Sequence, residues 1–152
     1  MKKNKMIIQT STFPASRETI WNKLSLLKTL QYVAYPYATF APEKRSGDLK
    51  WNVGETSKFK MKLFGVIPFG THSIHVVEFD KNTYTIYTNE INSFVPIWNH
   101  RITLKYLDKD KTLYTDEVEI DAGWKTNFVY LWGVLFYKHR QRKWRRLLDV
   151  KF

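Results

Sequence analysis

The sequence predicts an α+β domain in which helices lie to one side of an antiparallel sheet. Three patterns point there. From Glu55 to Asp121 apolar residues recur with a period of two, broken by short polar turns. Between Pro14 and Tyr32 the period is helical. After Gly123 comes one long helical segment. Its run from Phe128 to Tyr137 (FVYLWGVLFY) is almost free of polarity, and it closes in Lys and Arg. A helix apolar on all sides is expected to be wrapped, and the strands before it are the only candidate wrapper.

Taken in order, residues 6–13 (MIIQTSTF) read as a first strand. Ser16 is placed to cap a helix, with Glu18 in its first turn, where a carboxylate is favoured. Ile20, Leu24 and Leu27 keep helical spacing beside Trp21, giving a short helix continued by a second through Tyr32. Pro36 and Pro42 bracket a loop or short strand. In Lys58 to Leu63, Lys alternates with Phe59, Met61 and Leu63, a strand with one wet and one dry face. Gly65, Pro68 and Gly70 mark a turn. Residues 71–80 and 83–91 are two further strands rich in Val, Ile, Thr and Tyr. In residues 97–107, Trp98, His100, Ile102, Leu104 and Tyr106 share one face. After the polar turn Asp108 to Lys111, Tyr114, Asp116, Val118 and Ile120 do the same. Short turns imply antiparallel pairing, so the count is about six to seven strands.

The chain has 152 residues, which suits a single domain over 1–152 with a real core, burying roughly 70% of its unfolded surface. Cysteine is absent, which removes disulfides, thiolate catalysis and cysteine-bound metal clusters. Met6 to Ile8 is far too short for the apolar region of a signal peptide, and no stretch reaches the ~18 apolar residues of a membrane span. A cytoplasmic protein is the plain expectation. The formal charge of +11 gathers at Lys2, Lys3 and Lys5, along Lys58, Lys60 and Lys62, and in the segment Lys138–Arg146. Such a patch attracts phosphate on anionic lipid or nucleic acid. It also complements the helix dipole and keeps a protein dissolved. Because Trp144, Leu147 and Leu148 alternate with the basic residues, an anionic membrane surface is the partner expected ahead of nucleic acid.

His100 and Asp116 are polar residues on otherwise apolar strand faces. If those faces pair in register across a turn with an odd number of residues, Ile102 falls opposite Asp116 and His100 reaches it diagonally. Such a pair could hold a proton for acid–base work or orient a ligand. Equally, it could be a structural hydrogen bond within the sheet. His72 and His75, three apart on a strand, point to opposite faces and cannot chelate one metal together. His139 stands where the helix turns basic and adds no metal site. No nucleophile elbow, phosphate loop or dinucleotide fingerprint is present. Nothing calls for a metal or cofactor.

The opening FPASRETIW, the W-x-H of Trp98 and His100, the TDEVE of Thr115 to Glu119 and the run HRQRKWRRLL from His139 to Leu148 together resemble the START-like, or SRPBCC, superfamily of polyketide cyclase/dehydrase and lipid-transport-like proteins. The resemblance covers nearly the whole chain, except the loop from Tyr35 to Val53. It implies the helix-grip fold, a bent antiparallel sheet around a long C-terminal helix, with a cavity between them. Members bind lipids, polyketides and other apolar molecules, and a minority are cyclases or dehydratases. On that basis the expected wall comprises Phe59, Met61, Trp98, Ile102, Val118, Phe128, Trp132 and Phe136, with His100 and Asp116 as polar contacts. Leu131 and Leu135 could also line it. Gly133, costing about 1 kcal/mol against Ala in mid-helix, either lets the sheet approach or leaves room for a ligand, so Gly133→Leu is expected to block binding in a folded protein. Two alternatives stand beside binding: a cyclase- or dehydratase-type enzyme using His100 with Asp116, and an interaction module using the basic C-terminal face.

Overall fold

A computed structural model describes residues 4–43 and 51–149. Strand β1 (Lys5–Phe13) is followed by helices α1 (Arg17–Leu24) and α2 (Leu27–Ala34). Six strands follow: β2 (Ala38–Pro42), β3 (Thr56–Leu63), β4 (Ile67–Asp80), β5 (Thr85–Asn92), β6 (Ile97–Asp108) and β7 (Lys111–Asp121). A single 3-10 turn (Gly123–Lys125) leads into α3 (Thr126–Asp149). The seven strands form one antiparallel sheet in the order β1-β7-β6-β5-β4-β3-β2. This is a meander from β2 to β7, with β1 added beyond β7. Lys2 and Lys3 lie outside the described residues, as do residues 44–50 of the loop between Tyr35 and Val53.

Local chemistry accounts for the element ends. Ser16 caps α1, its hydroxyl accepting the Thr19 N–H at 3.2 Å, and Glu18 sits in the first turn. Phe64 and Gly65 both adopt positive φ (54° and 74°), and the Val66 N–H closes onto the Leu63 carbonyl. Positive φ at both central residues defines the mirror-image turn whose twist matches a hairpin. Register shifts between Lys60 and Lys62, Val76 and Glu78, and Tyr106 and Asp108 interrupt three of the ladders. Bulges of this kind bend a strand and sharpen its twist.

The dry face follows the sequence alternation. Phe59 and Met61 on β3, Trp98, His100, Ile102 and Leu104 on β6, and Tyr114, Asp116, Val118 and Ile120 on β7 are all buried. Tyr106 runs past the cover of the helices and is exposed, with the Arg17 guanidinium 5.5 Å from its ring centre. Two apolar clusters result. One joins Ile7, Met61, Trp98, Val118, Phe136 and Tyr137. The other joins Phe13, Ile20, Trp21, Tyr114 and Trp144. Helix α3 contributes to both, so its inner face ties the two halves of the core together.

The sheet grips only that inner face. Trp124, just before the helix, and Phe128, Leu131 and Leu135 along it recur every three or four residues and are 77%, 73%, 62% and 48% exposed. Lys138, Arg142 and Arg145 continue the same outer ridge. The expectation of a helix apolar all round and wrapped all round is corrected: its outer ridge is apolar and uncovered by the described residues. No helix among the described residues is long and apolar enough to cross a membrane.

Candidate functional site

Where the two clusters meet, the core does not close. A cavity lies there with about 80 Å³ open to the centres of water-sized molecules, well above the roughly 10–15 Å³ needed to hold one water. Its walls draw on the first cluster through Phe40, Met61, Ile74, Trp98 and Phe136, and on the second through Val33, Ile86, Ile102 and Trp144. Protein interiors seldom leave voids larger than one water, so a space of this size inside an aromatic core is a built feature.

One side of the cavity carries a chain of polar side chains across four strands, hydrogen-bonded in two groups that approach each other to 3.8 Å. His72 Nε2 on β4 meets Glu90 Oε1 on β5 at 2.7 Å, and the Thr88 hydroxyl donates to Glu90 Oε2 at 2.6 Å. His100 on β6 has Nδ1 3.8 Å from Glu90 Oε2 and Nε2 2.6 Å from Asp116 Oδ1 on β7. Gln141 of α3 donates to Asp116 Oδ2 at 3.0 Å and to the Gln9 carbonyl at 2.7 Å, and it accepts from the Ser11 hydroxyl. At the other end the Asn92 amide stands 3.4 Å from His72 Nδ1.

The carboxylates in this chain stay ionised. Burial pushes both upward, but the hydrogen bonds and charge of their histidine neighbours outweigh it. Glu90 is held below its ordinary value by His72, His100 and Thr88, and Asp116 by His100, Arg140 and Gln141. Burial drives the Tyr137 hydroxyl upward, and Trp98 Nε1 donates to its oxygen at 2.8 Å. Among the described residues no group of three or more His, Asp and Glu side chains is arranged to hold a metal ion. His72 faces the cavity, while His75 bonds Thr56 on the wet face.

Of the ten residues expected from the sequence, the cavity gathers Met61, Trp98, His100, Ile102 and Phe136. Asp116 and Val118 are fully buried outside the lining: Asp116 stands behind His100, and Val118 pairs across from it in the ladder. Phe59 packs edge-on to Phe40, and Trp132 stacks on Phe136 at 4.7 Å, both outside the lining. Phe128 is corrected outright, because it projects from the outer ridge. Leu131 and Leu135 share its fate. Gly133 faces the sheet: a Cβ there would stand 2.6 Å from Ile7 Cδ1 and 3.4 Å from Ile120 Cδ1. Close approach of helix and sheet is its role, and the expected room for a ligand at this position is corrected.

The sequence reading missed Thr88, Glu90 and Arg140. Each carries a signal in its phase. Thr88, Glu90 and Asn92 follow Ile86 at period two, and all are buried, while Ile91 faces out. Arg140 falls in step with Gly133, Phe136, Trp144 and Leu147 on the inner face of α3 and is 6% exposed. The segment Lys138–Arg146 is therefore not a solvated block. Arg140, Gln141 and Trp144 point in, and Lys138, Arg142, Arg145 and Arg146 point out.

Similar folds recur among solved structures. A START superfamily protein from Mycobacterium smegmatis matches with a TM-score of 0.73 at 16% identity, covering 95% of this chain and 97% of that one. Protein CV1439 from Chromobacterium violaceum matches at 0.73 and 14% identity, covering 96% and 98%. Norcoclaurine synthase from Thalictrum flavum, solved in complex with dopamine and hydroxybenzaldehyde, matches at 0.66 and 19% identity, covering 98% and 89%. Identities this low establish the fold alone. The comparison with curated proteins gave no match. Residues 11–148 match a family described as Domain of unknown function (DUF8410). The chain belongs to that family, and its fold is the helix-grip fold shared with the START superfamily protein it matches.

Proposed function

We propose that this protein binds a small, largely apolar molecule in the cavity between the sheet and α3. The observation that carries the reading is the unfilled space at the junction of two aromatic clusters, walled by Phe40, Met61, Ile74, Trp98, Phe136 and Trp144. A concave, mostly apolar site with a few convergent polar groups is the usual form of a small-molecule site. Fold neighbours that include a START superfamily protein and an enzyme solved with aromatic compounds support it. Val76 lines the cavity and is buried, so Val76→Phe is expected to fill it. Native mass spectrometry of protein purified from its own host should show a bound small molecule on the wild type and none on the variant. A wild-type protein that carries no adduct and takes up no apolar compound from a panel would overturn the reading.

A second reading, a cyclase- or dehydratase-type enzyme, is favoured by one arrangement. His100 touches the cavity while Asp116 holds its far nitrogen at 2.6 Å, as an orienting carboxylate holds a general base. His100→Ala separates a functional histidine from a structural one. Reduced thermal stability with unchanged ligand affinity would leave His100 a purely structural role.

A further inference from the structure

The polar groups around the cavity fall into two sets with opposite needs. On the sheet side the acceptors are already taken: both Glu90 oxygens are bonded by His72 and Thr88, and both Asp116 oxygens by His100 and Gln141. On the helix side, Tyr137, Arg140 and Trp144 line the cavity from one face of α3, spaced three and four residues apart. These three are donors. Arg140 Nε and Trp144 Nε1 are buried without any hydrogen-bond partner. The Tyr137 oxygen accepts from Trp98, and its own proton has no acceptor within reach among the described residues. Burial keeps that hydroxyl protonated.

Arg140 adds a charge to this imbalance. Its side chain lies beneath the surface with the guanidinium 5.7 Å and 5.3 Å from the centres of the Phe136 and Tyr137 rings. Among the described residues it forms no ion pair within 4 Å. Burial opposes its charge, but Asp116, Tyr114, Tyr137 and Glu90 nearby keep it protonated. Buried cations are usually paired, and buried donors are nearly always bonded. The missing complement is an anionic oxygen acceptor.

We propose that the ligand is an apolar monocarboxylic acid whose carboxylate sits on Arg140, Trp144 and Tyr137 and whose body lies against Met61, Ile74 and Trp98. The proposal rests on the cavity-binding reading and specifies its ligand. An uncharged apolar molecule would leave Arg140 Nε, Trp144 Nε1 and the Tyr137 hydroxyl proton without an acceptor. A carboxylate meets all of them, and guanidinium–carboxylate bonds are among the strongest available. A cavity several times larger than one water needs suits an acid of single-ring or medium-chain size.

Tryptophan fluorescence reads binding directly, since Trp51, Trp98 and Trp144 line the cavity. The probes are 4-ethylbenzoate and its near-isostere 4-ethyltoluene. Wild-type protein is expected to bind the benzoate at least about 10-fold more tightly, the scale of a hydrogen bond to a charged group. In Arg140→Met that preference should disappear while 4-ethyltoluene still binds. Trp144→Phe, which removes only the indole N–H from the donor set, should weaken the benzoate by about 5-fold on the scale of one neutral hydrogen bond. Should Arg140→Met fail to fold, the wild-type comparison and Trp144→Phe decide the matter. Binding of 4-ethyltoluene equal to or tighter than that of the benzoate overturns the carboxylate anchor and leaves the cavity reading intact. Binding of neither probe overturns an acid of this size, and the cavity reading is then decided by the adduct and the panel.

Discussion

Asp116→Ala is expected to cost about 3–5 kcal/mol of folding stability, because it breaks a buried, fully bonded pair from one side. Asp116 is wholly buried and accepts from His100 Nε2 at 2.6 Å and from Gln141 Nε2 at 3.0 Å. Alanine leaves both donors in the core without an acceptor. Neither can turn to water: Gln141 is fixed by the Gln9 carbonyl and the Ser11 hydroxyl, and His100 packs edge-on to Tyr137 at 5.1 Å. Asp116→Asn should cost less, about 1–3 kcal/mol, since its oxygen can still accept from His100 while its amide meets the Gln141 amide donor head-on. The pair also sets the acid limb of stability. The folded carboxyl titrates below its ordinary 3.8, so its contribution is complete above that value and is lost as the pH falls through the folded one. Glu90 acts with the same sign from 4.5 downward. Urea unfolding at pH 7 and at stepped acid pH checks both: Asp116→Ala should be much less stable at neutrality and show a shallower acid slope than the wild type. A loss under about 1 kcal/mol at pH 7 would mean that the site relaxes around the deletion.

The same residues show which parts of the molecule are readable from sequence. The register that sets Ile102 opposite Asp116 is the one the alternation asks for, and β6 and β7 reach it through the two-residue turn Lys109–Asp110 and the shift between Tyr106 and Asp108, with His100 diagonal to the carboxylate. Local pattern suffices there, because a strand offers only two faces and a short turn fixes the offset. Glu90 was hidden by its company. In TIYTNEIN it is Thr88, Glu90 and Asn92, not Ile91, that point inward, and only partners on the two flanking strands, His72 on β4 and His100 on β6, make the burial of Glu90 tolerable. Arg140 was hidden likewise inside a basic run whose average property is solvation. Its phase with Phe136 and Trp144 was visible, but its burial depends on a cavity that the helix alone cannot encode. Phe128 failed for the opposite reason. An apolar run tells how much of a helix is greasy, not how much of it the sheet can cover, and a single sheet covers one face.

Gly133→Leu carries the second large effect, and its sign separates the two roles open to that glycine. Helix α3 crosses β1 and β7 here so closely that a Cβ alone would stand 2.6 Å from Ile7 Cδ1 and 3.4 Å from Ile120 Cδ1. In Gly133→Ala the clash falls on the movable end of Ile7. The gain in helix propensity of about 1 kcal/mol opposes it, and the net change should be small. Leucine adds three further carbons to a space already filled by two isoleucines. The helix must lift or both side chains must leave their rotamers, an overpacking cost of about 1–3 kcal/mol. For a domain of this size that lowers the melting temperature by roughly 2–4 °C per kcal/mol. The cavity is walled from the same helix by Phe136, Tyr137, Arg140 and Trp144 and does not include Gly133. Ligand affinity of the folded fraction should therefore stay close to wild type. Thermal melts beside binding titrations of the Ala and Leu variants test this ordering. A Leu variant that melts with the wild type yet no longer binds would return Gly133 to the cavity wall, against the contact distances. One that is destabilised and still binds fixes Gly133 as the point where helix and sheet touch.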